Sequence, residues 1–231
     1  MSLLEVKSLN SYYGDSHILF DVALRVEEHE VVALLGRNGA GKSTTLKSLI
    51  GLVQPRSGSI VFDGEEIAGK PAHAIAQAGM QLVPEDRRIF GSLDVEENLI
   101  LASFSAPKVW TLERVYEMFP RLAERRRSRG TDLSGGEQQM LAIARALIRN
   151  PKLILLDEPF EGLAPVIVHD LVTVCRKLAD EGQTIVLVAT TAASLGMTQR
   201  AYFLNNGHIM HEASAQEIKS DPTALQRYLG V

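Results

Sequence analysis

The stretch Gly36-Arg37-Asn38-Gly39-Ala40-Gly41-Lys42-Ser43-Thr44 matches the phosphate-loop pattern G-x-x-x-x-G-K-[ST] without a gap. An apolar run precedes it at residues 31–35 and a helical pattern follows it, which is the context that the motif requires. Glycines let such a loop fold tightly, so that its backbone N–H groups converge on phosphate oxygens. The following helix directs its positive end toward the same anion. The stretch therefore predicts a nucleoside triphosphate site rather than an ordinary glycine-rich turn.

The side chains of this loop suit a triphosphate that carries Mg²⁺. Lys42 provides a mobile positive charge for the β and γ phosphates, and the Ser43 hydroxyl is a ligand for the Mg²⁺ that bridges them. Tyr13, before Gly14, is either a ring that stacks on the nucleotide base or a packing residue, and the local sequence leaves both open. The predicted loop contacts of ATP are Gly36, Arg37, Asn38, Gly39, Ala40, Gly41, Lys42, Ser43 and Thr44.

The bulk composition limits the classes of partner. The 231 residues include 24 basic and 28 acidic side chains, a net charge of -4, which gives no general electrostatic reason to bind nucleic acid or anionic lipid. A single cysteine, Cys175, predicts a cytosolic chain with a buried thiol. The first residues lack a signal-peptide pattern, and no run reaches the roughly 20 apolar residues of a membrane span. We therefore expect any membrane role to come through another subunit.

The apolar patterns predict an α/β fold. Alternating residues near the N-terminus indicate antiparallel strands, whereas the continuous apolar runs at 31–35, 80–83, 153–156 and 184–189 indicate buried parallel strands. Helical spacing dominates from residue 94 to about 130, beginning with Asp94 as a helix cap. We expect one domain, 1–231, with a mainly parallel core sheet and an antiparallel β-subdomain in 1–93 and 131–231, and an inserted helical lobe at about 94–130.

A second glycine-containing segment opens the next predicted helix, in Leu133-Ser134-Gly135-Gly136-Glu137-Gln138. Ser134 and Glu137 have the spacing of a capping box. Each of the two glycines costs a helix roughly 1 kcal/mol relative to alanine, and a purely structural cap does not need them. Glycines at a helix N-terminus allow an anion to approach the free N–H groups. Ser134, Gly135, Gly136 and Glu137 are therefore predicted to form a second phosphate-contacting surface.

Two adjacent carboxylates, Asp157 and Glu158, end the apolar run at 153–156. In parallel α/β sheets, ligands bind at the carboxyl ends of the strands. Asp157 is predicted to act on Mg²⁺ or its water ligands, and Glu158 on the attacking water. The alternative is a pair of acids that only cap a helix.

The chain resembles the ATP-binding cassette (ABC) ATPases over essentially its full length. The resemblance is carried by the phosphate loop and by the stretches 133–138 and 153–159. Further stretches are similar to the second ATPase subunit of bacterial branched-chain amino acid uptake systems, a pattern that subunits serving urea, short amides or aromatic compounds largely share. These stretches are Leu82-Val83-Pro84-Glu85-Asp86-Arg87-Arg88-Ile89-Phe90, Val95-Glu96-Glu97-Asn98-Leu99, Gly162-Leu163-Ala164-Pro165 and Gln226-Arg227-Tyr228-Leu229-Gly230-Val231.

The resemblance implies an ATP- and Mg²⁺-dependent ATPase with a RecA-like core. ATP would lie between two cassettes, with the phosphate loop of one facing the segment 134–137 of the other. Tyr13 matches the base-stacking aromatic residue. The implied partners are a second ABC ATPase subunit, identical or related, permease subunits gripped by the helical lobe, and indirectly a periplasmic solute-binding protein, with no nucleic acid. The implied location is the inner face of the bacterial plasma membrane.

Two departures from the family pattern concern acidic positions. Glu85 aligns with the usual metal- and water-sensing glutamine, and its carboxylate can bind Mg²⁺ but adds negative charge near phosphate. The predicted Mg²⁺ ligands are thus Ser43, Asp157 and Glu85. Ala164 stands at a position where the wider family commonly has an aspartate. The branched-chain subgroup shares both departures.

A third departure is the missing switch histidine. Thr190, or Ala189 with a shifted alignment, stands at that position, and neither can hold a γ-phosphate as histidine does. We therefore expect slow hydrolysis with Glu158 retained. A regulatory cassette that has lost hydrolysis remains an alternative. A non-transport cassette of DNA repair or translation is disfavoured, because the chain has neither a long coiled-coil insertion nor a second cassette.

Overall fold

The computed structural model describes residues 2–103, 109–189 and 196–220. Among these residues the strands are β1 (Ser2–Tyr13), β2 (Ser16–Glu27), β3 (Val31–Leu35), β4 (Pro55–Phe62), β5 (Glu65–Glu66), β6 (Met80–Val83), β7 (Leu153–Asp157), β8 (Thr184–Ala189), β9 (Arg200–Asn205) and β10 (His208–Ser214). The α-helices are α1 (Lys42–Leu49), α2 (Ala72–Ala78), α3 (Val95–Ala102), α4 (Leu112–Met118), α5 (Pro120–Glu124), α6 (Gly135–Leu147), α7 (Pro165–Asp180) and α8 (Ala215–Ser220), and a 3₁₀ turn spans Gly130–Asp132.

The larger sheet has the order β10-β9-β3-β8-β7-β6 and is parallel except for the β9–β10 hairpin. Every residue of β3, β7 and β8 is buried, because helices cover both faces of a parallel sheet. β3 and β7 both pair with β8, so their carboxyl ends reach the same edge. This edge carries the phosphate loop after β3 and the acidic pair at the end of β7.

The smaller sheet has the order β2-β1-β4-β5 and is antiparallel throughout. Its alternating apolar residues share one core cluster with Leu46 and Leu49 of α1 and with residues of the larger sheet. The predicted α/β fold, with a mainly parallel core and an antiparallel β-sheet, is confirmed.

Helices α3, α4 and α5 occupy the segment predicted to be helical at 94–130. Asp94 caps α3: its carboxylate accepts from Glu97 N at 2.8 Å, and the Glu97 carboxylate accepts from Asp94 N at 2.8 Å. Val115, Phe119 and Leu122 are buried at the predicted helical spacing. None of the described helices combines the length and apolar character needed to cross a membrane. The stretch 226–231 and Thr190 lie outside the described residues.

Candidate functional site

A cavity of about 410 Å³ opens at the shared strand edge. This volume falls in the range of ligand pockets in proteins. Gly36, Arg37 and Ala40 are not among the lining residues; Gly36 and Ala40 are buried, and Arg37 is exposed. The remaining predicted loop contacts line the cavity together with Tyr13, Glu85 and Glu158, whereas Asp157 is not among the lining residues. The full lining is Tyr13, Ile18, Asn38, Gly39, Gly41, Lys42, Ser43, Thr44, Glu85, Glu158 and Glu161.

The turn into α1 fixes the phosphate loop. Gly41 has φ +109°, and a Cβ there would lie 2.8 Å from Leu19 Cδ2, so only glycine fits this position. Lys42 follows as the first helical residue, with its side chain almost fully buried. Its ammonium donates to Gly36 O at 2.9 Å and Arg37 O at 3.1 Å, and pairs with Glu158 Oε1 at 3.2 Å. The positive charge is thus held at the cavity by three oxygen atoms.

The predicted Mg²⁺ ligands lie together. Ser43 Oγ donates to Asp157 Oδ1 at 2.9 Å, and Glu85 lines the same cavity. Burial raises the pKa of the Asp157 carboxyl above its usual range. Among the described residues, no group of three or more acidic, histidine or cysteine side chains is arranged to hold a metal. A hydroxyl and one or two carboxylates nevertheless fit Mg²⁺, which takes its other ligands from phosphates and water.

Glu158 lies at the edge of the cavity in a left-handed conformation, with φ +46°. Its backbone N–H donates to Val188 O at 3.2 Å, which anchors the turn to β8. Lys42 binds Oε1, whereas Oε2 is buried and accepts no N–H or hydroxyl hydrogen bond from the described residues. A carboxylate at the edge of the cavity can take a proton from a bound water.

Glu161 is a cavity residue that the sequence analysis did not identify. Its N–H donates to Glu158 O at 3.1 Å, and this turn brings its carboxyl to that of Glu158. Two carboxyl groups form a hydrogen bond only when one of them holds a proton. This hydrogen bond, together with the charge of Glu158, raises the pKa of Glu161 to about 7. No motif in the sequence marks this acid, because a glutamate in a turn is ordinarily solvated.

The Glu161→Gln variant is expected to bind ATP with a weaker pH dependence than the native chain. Because the pKa of Glu161 is raised to about 7, its carboxyl is neutral below that pH and ionised above it. The native affinity should therefore fall as pH rises from about 6 to about 8, as a negative charge appears near the phosphates. Glutamine stays neutral throughout. Calorimetric titration with ATP at both pH values measures the difference, and equal slopes for the two proteins would contradict it.

The segment 134–137 forms the predicted cap but lies away from the cavity. Ser134 Oγ accepts from Glu137 N at 3.3 Å, and Glu137 Oε2 accepts from Ser134 N at 2.8 Å. The expectation that a purely structural start of this helix needs no glycine is wrong for Gly136, because a Cβ there would overlap Ile167 of α7. None of the four residues Ser134, Gly135, Gly136 and Glu137 lines the cavity.

Gly136→Ala is expected to destabilise the fold by about 1–3 kcal/mol, the usual effect of overpacking. The Ile167→Ala change on the facing helix should recover part of this loss by removing the overlapping atoms. Urea unfolding of the two single variants and the double variant measures the coupling. A fully additive result would contradict the packing role of Gly136.

No histidine belongs to the described lining of the cavity. Ala189 ends β8 as a buried strand residue, and Thr190 lies outside the described residues. The six histidines of the chain are His17, His29, His73, His169, His208 and His211.

A parallel sheet that carries this loop, lysine and acidic pair at one edge defines a P-loop nucleoside triphosphatase. The family model described as ABC transporter matches residues 19–161, and the chain belongs to this family of ATP-binding subunits. It is accordingly an ATPase, since transporter ATP-binding subunits bind and hydrolyse ATP.

Two curated relatives extend over the full chain. The chain is 44% identical to the high-affinity branched-chain amino acid transport ATP-binding protein BraG of Pseudomonas aeruginosa, over 99% of this chain and 100% of the relative. It is 37% identical to the lipopolysaccharide export system ATP-binding protein LptB of Haemophilus influenzae, over 100% of this chain and 98% of the relative.

A solved structure is similar as well. It is the dimeric post-hydrolysis state of the ATP-binding cassette MJ0796 bound to ADP and Pi, with a TM-score of 0.81 and 25% identity, over 92% of this chain and 98% of that chain.

Proposed function

We propose that this chain energises the uptake of branched-chain amino acids or a related small solute through a bacterial membrane permease. The observation that carries the proposal is the full-length similarity to BraG, at 44% identity, against 37% for LptB. Urea, short amides and aromatic compounds are alternative solutes of the same kind of importer. The similarity to LptB favours a second candidate, a subunit of a lipopolysaccharide exporter.

In the proposed site, residues 36–44 hold the phosphates and Lys42 neutralises part of their charge. Ser43, Asp157 and Glu85 bind Mg²⁺, which when bound shields the phosphate charge from the acidic lining. Glu158 orients the attacking water and accepts its proton. Tyr13 is 48% exposed beside the phosphate loop, so its ring is accessible to a nucleotide base.

A second chain completes the proposed site. The segment 134–137 presents a capped helix N-terminus outside the cavity of its own chain, where it is available to the nucleotide of a partner. The MJ0796 cassette was solved as a dimer with ADP and Pi, which supports the same arrangement here. The partner is an identical chain or a related ATPase subunit.

A groove of about 510 Å³ supports contact with a permease. It lies between the core sheet and the helical segment, and exposed Leu52, Phe90 and Leu101 form its apolar part. Four arginines surround these side chains, so the groove suits a short amphipathic helix with acidic residues. The permease would hold the chain on the cytoplasmic face of the membrane and connect it indirectly to a periplasmic solute-binding protein. The arginines are Arg87, Arg88, Arg145 and Arg149.

Copurification of the tagged chain from membranes of its native host tests the transport role. We expect an integral-membrane permease and a solute-binding protein, and we expect the latter to bind leucine, isoleucine or valine in calorimetric titrations. Recovery of lipopolysaccharide-export subunits instead, or of no permease, would overturn the proposal.

The purified homodimer is expected to hydrolyse ATP slowly at saturating ATP, because the switch histidine is absent from the sequence position where the family carries it. Steady-state phosphate release measures the rate, with an importer cassette that retains the histidine as the reference. A rate equal to that of the reference would contradict the expectation. A complete absence of turnover would favour the regulatory alternative.

A further inference from the structure

The loop that follows β6 connects the nucleotide cavity to the start of α6. Its residue Glu85 lines the cavity. Arg87 and Arg88 then adopt left-handed backbone conformations, with φ +60° and +47°. Such conformations cost non-glycine residues about 1–3 kcal/mol and persist where the surroundings enforce them. The contacts of the two arginines therefore indicate the interactions that stabilise these conformations.

The side chain of Arg87 reaches the first turn of α6. Nη1 donates to Gln138 Oε1 at 3.1 Å. Both terminal nitrogen atoms, Nη1 and Nη2, lie 3.3 and 3.4 Å from the position that a Cβ on Gly135 would take. Because Gly135 has no side chain, the guanidinium packs directly against the helix N-terminus.

Gln138 extends this contact to the turn before α6. Its amide nitrogen donates to Gly130 O at 3.1 Å and Leu133 O at 3.3 Å, while its amide oxygen accepts from Arg87. One amide thus fixes the orientation of the segment that precedes Ser134. The Nε atom of Arg87 is buried without a hydrogen-bond partner among the described residues. Packing on Gly135 and the bond to Gln138 are therefore what hold the guanidinium in place.

Arg88 provides a contrast within the same loop. Its Nε donates to both carboxylate oxygens of Asp86, at 3.1 and 2.9 Å, on the exposed surface. Its backbone carbonyl accepts a hydrogen bond from Arg145 Nη1 of α6 at 2.6 Å. Of these two neighbouring arginines with similar backbone conformations, Arg87 contacts the start of α6 with its side chain, whereas the side chain of Arg88 pairs with Asp86.

We propose that Arg87 is a positioning residue that holds the N-terminus of α6 ready to receive the phosphate of a second chain, and joins it to the loop of Glu85. The inference rests on the proposed two-chain site. Arg87 acts through Gln138 and Gly135 and is not itself a catalytic residue. This contact links the cavity that binds the chain's own nucleotide to the segment 134–137, which contacts the nucleotide of the second chain.

The test uses the Glu158→Gln variant as the parent to which further changes are added. Analytical ultracentrifugation measures its ATP-dependent dimerisation. Adding Arg87→Ala is expected to weaken the dimer at least about tenfold, the effect of losing a hydrogen bond from a charged donor. Binding of ATP to the monomer, measured at protein concentrations too low for dimerisation, should stay within about twofold. Adding Gln138→Ala should reproduce the defect, and the double change should add little, because both act through one contact. Arg114→Ala is the matched control and should dimerise like the parent, because Arg114 pairs with Glu181 outside this loop.

The outcomes separate this inference from the proposed function. A parent that dimerises with ATP while the Arg87→Ala variant dimerises equally well overturns the role of Arg87 alone. The same conclusion follows if Arg87→Ala weakens ATP binding to the monomer as much as it weakens the dimer, or if the two single losses add. A parent that never dimerises with ATP overturns the two-chain site, and the inference with it.

Discussion

Replacing Glu158 with glutamine is expected to lower kcat for ATP hydrolysis by about 10²–10⁴-fold, the usual contribution of a general base. Glutamine keeps the size of the side chain but cannot take a proton from water. Glu158 lines the nucleotide cavity, so the native carboxylate is placed to accept this proton. Phosphate release at saturating ATP measures the loss.

The same variant is expected to dimerise more strongly with ATP. The change removes a negative charge that lies 3.2 Å from Lys42 and close to the proposed phosphate position. Glu65→Gln is a suitable control, because that carboxylate is exposed on the β4–β5 hairpin. If turnover and dimerisation of the Glu158→Gln variant match those of the native chain, the active-site account is wrong and the regulatory alternative is favoured.

Lys42→Ala is expected to remove ATP-dependent dimerisation and to reduce hydrolysis by at least about 10²-fold. Hydrogen bonds to charged groups contribute about 1.5–3 kcal/mol each, and this ammonium would form more than one with the phosphates. The Lys42 side chain is only 3% exposed, and a cation from solvent does not readily enter such a buried position. Analytical ultracentrifugation with ATP and phosphate release measure the two effects, and titration with a fluorescent ATP analogue measures the affinity.

The matched control for this substitution is Lys7→Ala, since the Lys7 side chain is 66% exposed and pairs with Glu5 on the surface. The control should bind nucleotide as the native chain does. Native-like ATP affinity in the Lys42→Ala variant would show that the phosphate loop is not the nucleotide site.

The sequence predicted the elements whose signals are local. The buried strands β3, β7 and β8 appear as continuous apolar runs because both faces of a parallel sheet are covered. The caps of α3 and α6 depend on residues three positions apart, so they are visible without knowledge of the fold. The phosphate loop and the acidic pair were predicted because each is contiguous, and strand topology brings them to one edge.

The contacts that the sequence did not reveal depend on long-range packing. Gln138 lies 51 residues from Arg87, and Ile167 belongs to a different helix from Gly136. A glycine beside a predicted phosphate surface was therefore assigned wholly to ligand approach, although packing against α7 also requires it. Glu161 was missed for a related reason: the turn that joins its carboxyl to that of Glu158 leaves no pattern in the residue types.

The central claim is that two incomplete half-sites, one from each chain, form a working nucleotide site. Two variants that each disable one half test it when mixed. Lys42→Ala removes the phosphate-loop half. Ser134→Asp disables the other half, because aspartate caps a helix as well as serine but places a negative charge against the incoming phosphate.

Neither variant should hydrolyse ATP alone, whereas a mixed dimer retains one intact site, made from the phosphate loop of the Ser134→Asp chain and the segment 134–137 of the Lys42→Ala chain. The decisive measurement is phosphate release from the mixture. The account predicts that mixing restores hydrolysis that neither variant has alone. Full activity of the Ser134→Asp chain by itself, with no gain on mixing, would contradict it.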